Sequence, residues 1–124
     1  MMLELALKDP LALLEDQLDL VRSTALQIEK DFLQNGLELH LAENGSTSVS
    51  VLLATLEEAL AWLLERDEQR LLQLLYRIDL GEEVLRQAMR NHQDQPLAHL
   101  LATLVLKREV QKVIIRHFYK TNQV

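Results

Sequence analysis

Seven apolar side chains, Leu11, Leu14, Leu18, Val21, Ala25, Ile28 and Phe32, follow one another by alternating steps of three and four residues. A strand would present every second residue on a face, so only an α-helix gathers these positions on one side. Asp9-Pro10 opens this helix: Asp caps, and Pro fits the first helical position, where no N–H is needed. Asn35-Gly36 closes it, because glycine accepts the left-handed conformation at a helix C-terminus. The reading is one helix over 10–34, on the order of 37 Å long at 1.5 Å per residue. Its seam packs either against other helices of the chain or against its copy in a homodimer. Leu13 and Leu20 add a second, narrower strip that keeps the homodimer in view.

Four further segments carry helical periodicity. The stretch 51–65 buries Leu52, Leu53, Leu56, Leu60, Leu63 and Leu64, with Glu57, Glu58 and Glu65 toward water. Asp67 caps a helix over 68–78 with Leu71, Leu72, Leu74, Leu75 and Ile78 inward. After the Asp79-Leu80-Gly81 break, Asp79 and Glu82 form an acidic capping box for a helix over 81–90. There Val84, Leu85, Ala88 and Met89 point inward. Pro96 starts a last helix over 96–119, with Leu97, Leu100, Leu101, Leu104, Val105, Val110, Val113, Ile114 and Phe118 on its apolar positions. The first and last helices match in length and are expected to lie side by side. Trp62 and Tyr76 read as buried anchors.

Residues 37–51 are open to two readings. Leu37, Leu39 and Leu41 alternate with polar residues, as do Thr47, Val49 and Val51. A hairpin through Glu43-Asn44-Gly45 pairs Leu41 with Thr47, Leu39 with Val49 and Leu37 with Val51. The competing reading is a loop in which Ser48 or Ser50 caps the next helix. The expected fold is thus all-α, a bundle of about five helices over a single domain 1–124, with a short β-hairpin after the first helix as an option.

Composition narrows the chemistry. Three glycines and two prolines are too few for a turn-rich sandwich or barrel. The absence of cysteine removes disulfides, thiol nucleophiles and thiolate metal sites. The start of the chain lacks the basic and long apolar regions of a signal peptide, and no apolar run approaches the roughly 18 residues of a spanning helix. A cytoplasmic protein is expected.

Catalytic and metal motifs are missing from the sequence. No two of His40, His92, His99 and His117 stand three or four residues apart, as two ligands on one helix would. The carboxylate pairs Asp16/Asp19, Glu57/Glu58 and Glu82/Glu83 lack the Glu-x-x-His companions of a di-iron bundle. There is no Gly-x-Ser-x-Gly elbow and no glycine-rich phosphate loop. No cofactor, metal or catalytic set is assigned. An enzyme would need dispersed residues such as Tyr76, Arg77, Asp79 and His99 to converge.

Charge is the remaining signal. Net charge is −6, but residues 1–68 carry 14 acids against 4 Lys/Arg, and residues 69–124 carry 5 acids against 9. Arg108, Lys112, Arg116 and Lys120 recur every fourth residue and form one stripe on the last helix. The stripe either steadies the negative end of the helix dipole or meets an acidic partner or a nucleic-acid backbone. The acidic pI of about 5.2 and the lack of interleaved aromatics argue against nucleic acid.

The stretches Leu74-Leu75-Tyr76-Arg77-Ile78-Asp79-Leu80-Gly81-Glu82-Glu83 and Leu106-Lys107-Arg108-Glu109-Val110-Gln111-Lys112-Val113 resemble a group of small helical bacterial proteins of uncharacterised function. The resemblance covers about half of the chain and implies an all-helical fold, with no activity, cofactor or partner. It singles out Tyr76, Arg77 and Asp79 at the break as a structural corner, with Arg108 and Lys112 as cations that could face it. The functional expectation is a non-enzymatic interaction or regulatory domain that binds a protein, with self-association as one form. The alternative is weak binding of nucleic acid or an anionic surface through the basic stripe.

Overall fold

The structure is a computed structural model describing residues 4, 7–41, 47–91 and 94–122. It is all-α. Among the described residues six helices follow in order: α1 (Pro10–Glu15), α2 (Leu18–Leu33), α3 (Val49–Arg66), α4 (Glu68–Ile78), α5 (Glu82–Asn91) and α6 (Leu97–Asn122). None is long and apolar enough to cross a membrane.

Local chemistry explains most of the ends. Asp9 accepts the Ala12 N–H ahead of Pro10, and Asp67 accepts the Arg70 N–H at 3.1 Å. Helix α2 closes with Gly36 at φ 77, where Gly36 N–H reaches the Leu33 carbonyl and Leu37 N–H the Phe32 carbonyl, both at 2.9 Å. This paired closure leaves few orphan carbonyls at the helix end. Helix α4 closes in the same way, with Asp79 at φ 65 in the position that glycine usually takes.

The sequence reading needs four corrections. The first helix is two: the chain leaves helical geometry between Glu15 and Leu18, and Gln17 offers α2 no side-chain cap. Leu14, Val21, Ala25, Ile28 and Phe32 stay buried along the seam, whereas Leu18 is 66% exposed. The buried part of the seam is thus packed within the chain itself.

The hairpin is displaced by a helix start. Val49 and Val51, its second strand, lie in α3, because the Ser48 hydroxyl accepts the Val51 N–H at 3.2 Å. Residues 37–41 form no strand, and the turn residues Glu43-Asn44-Gly45 lie outside the described residues. The local cap therefore wins over an alternation whose strands had no further sheet to join.

Asp79 does not form the capping box. Leu85 N–H meets the Gly81 carbonyl, so α5 starts from Gly81, and the Asp79 carboxylate turns to Arg108. Several expected core residues are also exposed, namely Trp62, Leu72, Tyr76, Val84 and Met89, and Phe118 is 39% exposed. Tyr76 and Phe118 fall on the far side of their helices from the buried arc, and the others lie toward its margins, where periodicity alone does not say how far burial extends.

The core is aliphatic. Leu52, Leu56, Leu60 and Leu63 of α3 meet Leu101, Ala102, Val105 and Leu106 of α6 in one cluster, joined by α2, by Leu14 of α1 and by Leu74, Leu75 and Ile78 of α4. Burying each leucine contributes roughly 2 kcal/mol. Helix α6 runs antiparallel to α2, since Arg116 reaches Gln27 while Lys112 reaches Asp31. That pairing sets the two helices' polar residues face to face.

Candidate functional site

Thr24, Gln27 and Asp31 step by three and four along α2, so they share one face, and all three are buried. Opposite them on α6 stands Glu109, with no exposed surface. Its neighbours on that helix face, Ala102, Val105, Leu106 and Val113, are apolar and buried. Two acids thus meet inside the helix pair.

Lys112 joins them. Its Nζ lies 2.8 Å from Asp31 Oδ2 and 3.3 Å from Glu109 Oε1. Gln27 Nε2 donates to the same Asp31 oxygen at 3.1 Å, and Arg116 Nη1 donates to Gln27 Oε1 at 2.8 Å. The order across the interface is Arg116, Gln27, Asp31, Lys112, Glu109. The buried Thr24 hydroxyl has no hydrogen-bond partner among the described residues.

The two carboxyls titrate in opposite directions. Burial by itself raises Asp31, but hydrogen bonds from Glu109, Lys112 and Gln27, with the Lys112 charge, outweigh it and hold this carboxyl below its ordinary range. Glu109 is pushed up to about 8, first by burial and then by the adjoining Asp31 carboxylate, against the pull of Lys112. One cation cannot serve two buried anions equally. Of the two carboxyls, Glu109 is therefore the one whose neutral form is favoured. Both Glu109 oxygens are buried without a hydrogen-bond partner among the described residues, so a charge there would have only the Lys112 ammonium, 3.3 Å away, to meet it.

Three of the four cations of the basic stripe are paired within the chain, although Arg116 stays exposed and Arg108 and Lys112 are only half-buried. Lys112 and Arg116 serve the α2 network just described. Arg108 Nε donates to the Ile78 carbonyl at 3.3 Å, and its Nη2 to Asp79 at 3.4 Å. Arg108 thereby ties the left-handed corner after α4 to α6. Lys120 is exposed. Of the other corner residues, Arg77 donates to Gln34 at 2.7 Å and ties α4 to the end of α2. Tyr76 is 82% exposed and borders an open groove with Asn35, Gln69, Leu72, Gln73 and Arg77. Tyr76, Arg77 and Asp79 do not converge with His99, whose Nδ1 lies 3.0 Å from Glu57 on α3. Among the described residues no three His, Cys, Asp or Glu side chains gather to hold a metal ion.

Sequence reasoning missed Asp31 and Glu109. A signal was present. Glu109 falls at the centre of the apolar arc formed by Ala102, Val105, Leu106 and Val113, where a carboxylate is out of place. Comparison with known protein families, curated proteins and solved structures finds no match to this chain.

Proposed function

We propose that the protein is a non-enzymatic interaction or regulatory domain that offers apolar helical surface to a protein partner. The observation that carries this reading is the outer face of α2, where Leu18, Leu26 and Leu33 are 66%, 56% and 61% exposed. Exposed leucines are ordinary singly, but three on one short helix mark a contact surface. The groove beside Leu72 and Tyr76 extends apolar surface next to the end of α2, to which Arg77 and Gln34 connect it. The acid–lysine cluster supports a structural role, since it lies within the α2–α6 interface. Nucleic-acid or anionic-surface binding has weaker support, because Arg108, Lys112 and Arg116 are directed at Asp79, Asp31 and Gln27.

The test is cross-linking of the native protein in its own cells, with Leu26→Asp and Leu72→Asp beside the wild type. Both side chains are exposed, so neither change should lower the thermal midpoint appreciably. The expected result is loss of the cross-linked partner by roughly tenfold or more in at least one variant. Cross-links that persist unchanged in both variants would overturn the reading.

A further inference from the structure

The exposed face of α2 is self-complementary. Leu18, Arg22, Leu26, Glu29 and Leu33 step by four, four, three and four residues, so they form a single stripe along this helix. The stripe reads leucine, cation, leucine, anion, leucine. That order maps onto itself with opposite charges when a second α2 is laid antiparallel across it. Leu18 then faces the second copy's Leu33, Arg22 faces its Glu29, and the two Leu26 side chains meet beside the two-fold axis. Asp19 and Lys30, both exposed on one flank of the stripe, come within reach of each other across the same axis. One register thus satisfies both charge pairs.

A parallel pairing lacks this property, because it sets Arg22 against Arg22 and Glu29 against Glu29. A two-fold contact requires the same patch on both subunits, with residue i meeting j and j meeting i. The α2 stripe meets that condition by sequence. Glu29 also accepts the Leu41 N–H through one carboxylate oxygen at 3.3 Å, which leaves its second oxygen for an arginine.

We infer that the occupant of this face is a second copy of the chain, packed antiparallel through α2 as a two-fold homodimer. This rests on the reading of α2 as a contact surface and commits it to one partner. Sixteen residues give a contact only about 24 Å long, so the dimer is small and reversible.

Sedimentation of the purified full chain over a concentration series tests the inference. The expected result is a reversible monomer–dimer equilibrium. Leu26→Asp should weaken it by at least roughly tenfold, since it places two carboxylates at the axis. Arg22→Glu and Glu29→Arg should each weaken it as homodimers, because each sets like charges opposite one another. Mixed in equal amounts, these two should recover association, since every pair across the axis is then of opposite sign. Thermal melts of each variant confirm that the fold persists.

A chain that stays monomeric at all concentrations overturns the inference. So does a dimer indifferent to Leu26→Asp, or a mixture no tighter than its components. If purified protein stays monomeric while Leu26→Asp still removes a cross-linked partner in cells, the self-contact falls and the interaction domain stands.

Discussion

Lys112→Met is expected to lower the unfolding free energy by about 2–3 kcal/mol at neutral pH. The substitution keeps an unbranched apolar stem of similar length and removes only the ammonium. Asp31, 4% exposed, then keeps a negative charge with Gln27 as its remaining well-placed donor. An unpaired buried carboxylate is the expensive product of breaking such a pair, more so than the loss of the attraction itself. The ammonium is a quarter exposed, and solvent screening places the loss at the lower end for a buried pair. Chemical denaturation at fixed pH reads the change directly. The additional substitution Asp31→Leu should recover most of the loss, because it removes the stranded charge. A loss no larger than that of an exposed ion pair, under about 1 kcal/mol, would show that the cluster is hydrated.

Glu109→Gln is expected to change how stability depends on pH. A group whose folded pKa lies above its unfolded value binds more protons in the folded state, so its contribution is greatest below the unfolded value and is lost as pH rises. For Glu109 the window runs from the ordinary value of 4.5 to about 8. Wild-type stability should therefore fall through this window. Asp31 acts at the other end. Its lowered folded value adds stability above its ordinary 3.8, and that part is lost as pH falls through the lower value. Together the two favour weakly acidic conditions. Glutamine keeps the shape of a protonated glutamate, but it has no proton to lose. The variant should show a flatter profile between 4.5 and about 8 and should gain on the wild type toward the alkaline end. Thermal midpoints across that range check both statements. Parallel profiles for the two proteins would place the titration elsewhere.

What the sequence revealed follows from how local each cause is. Asp9-Pro10, Asn35-Gly36 and Asp67 act on the turn beside them, and the structure has helix ends at all three. The break between Glu15 and Leu18 was hidden because the step of four from Leu14 to Leu18 continues the apolar pattern across it. Periodicity records that positions share a face. It does not record that the backbone stays helical between them.

The basic stripe illustrates the same limit. Arg108, Lys112 and Arg116 do share a face, yet nothing in a spacing of four says whether that face points to water or to a neighbouring helix. Here α2 supplies Asp31 and Gln27 from 81 and 89 residues away in the chain, beyond the reach of any local pattern. A glutamate centred on an apolar arc was the readable hint. It identifies a buried carboxyl, while its partner becomes known only when the two helices are set side by side.

The exposed leucines belong with this pattern. Leu26 and Leu33 stand opposite the buried arc of α2, so the helix is apolar on two sides, of which the core covers one.

The structure's central feature is a buried Glu109 carboxyl held beside Asp31 and Lys112, and carbon-detected NMR of that carboxyl through a pH titration tests it most directly. A midpoint near 8 is expected, with the signal still that of a neutral acid at pH values where exposed glutamates are fully ionised. A midpoint near the ordinary 4.5 would contradict it, because the carboxyl would then be in water and the α2–α6 interface could not hold the arrangement described.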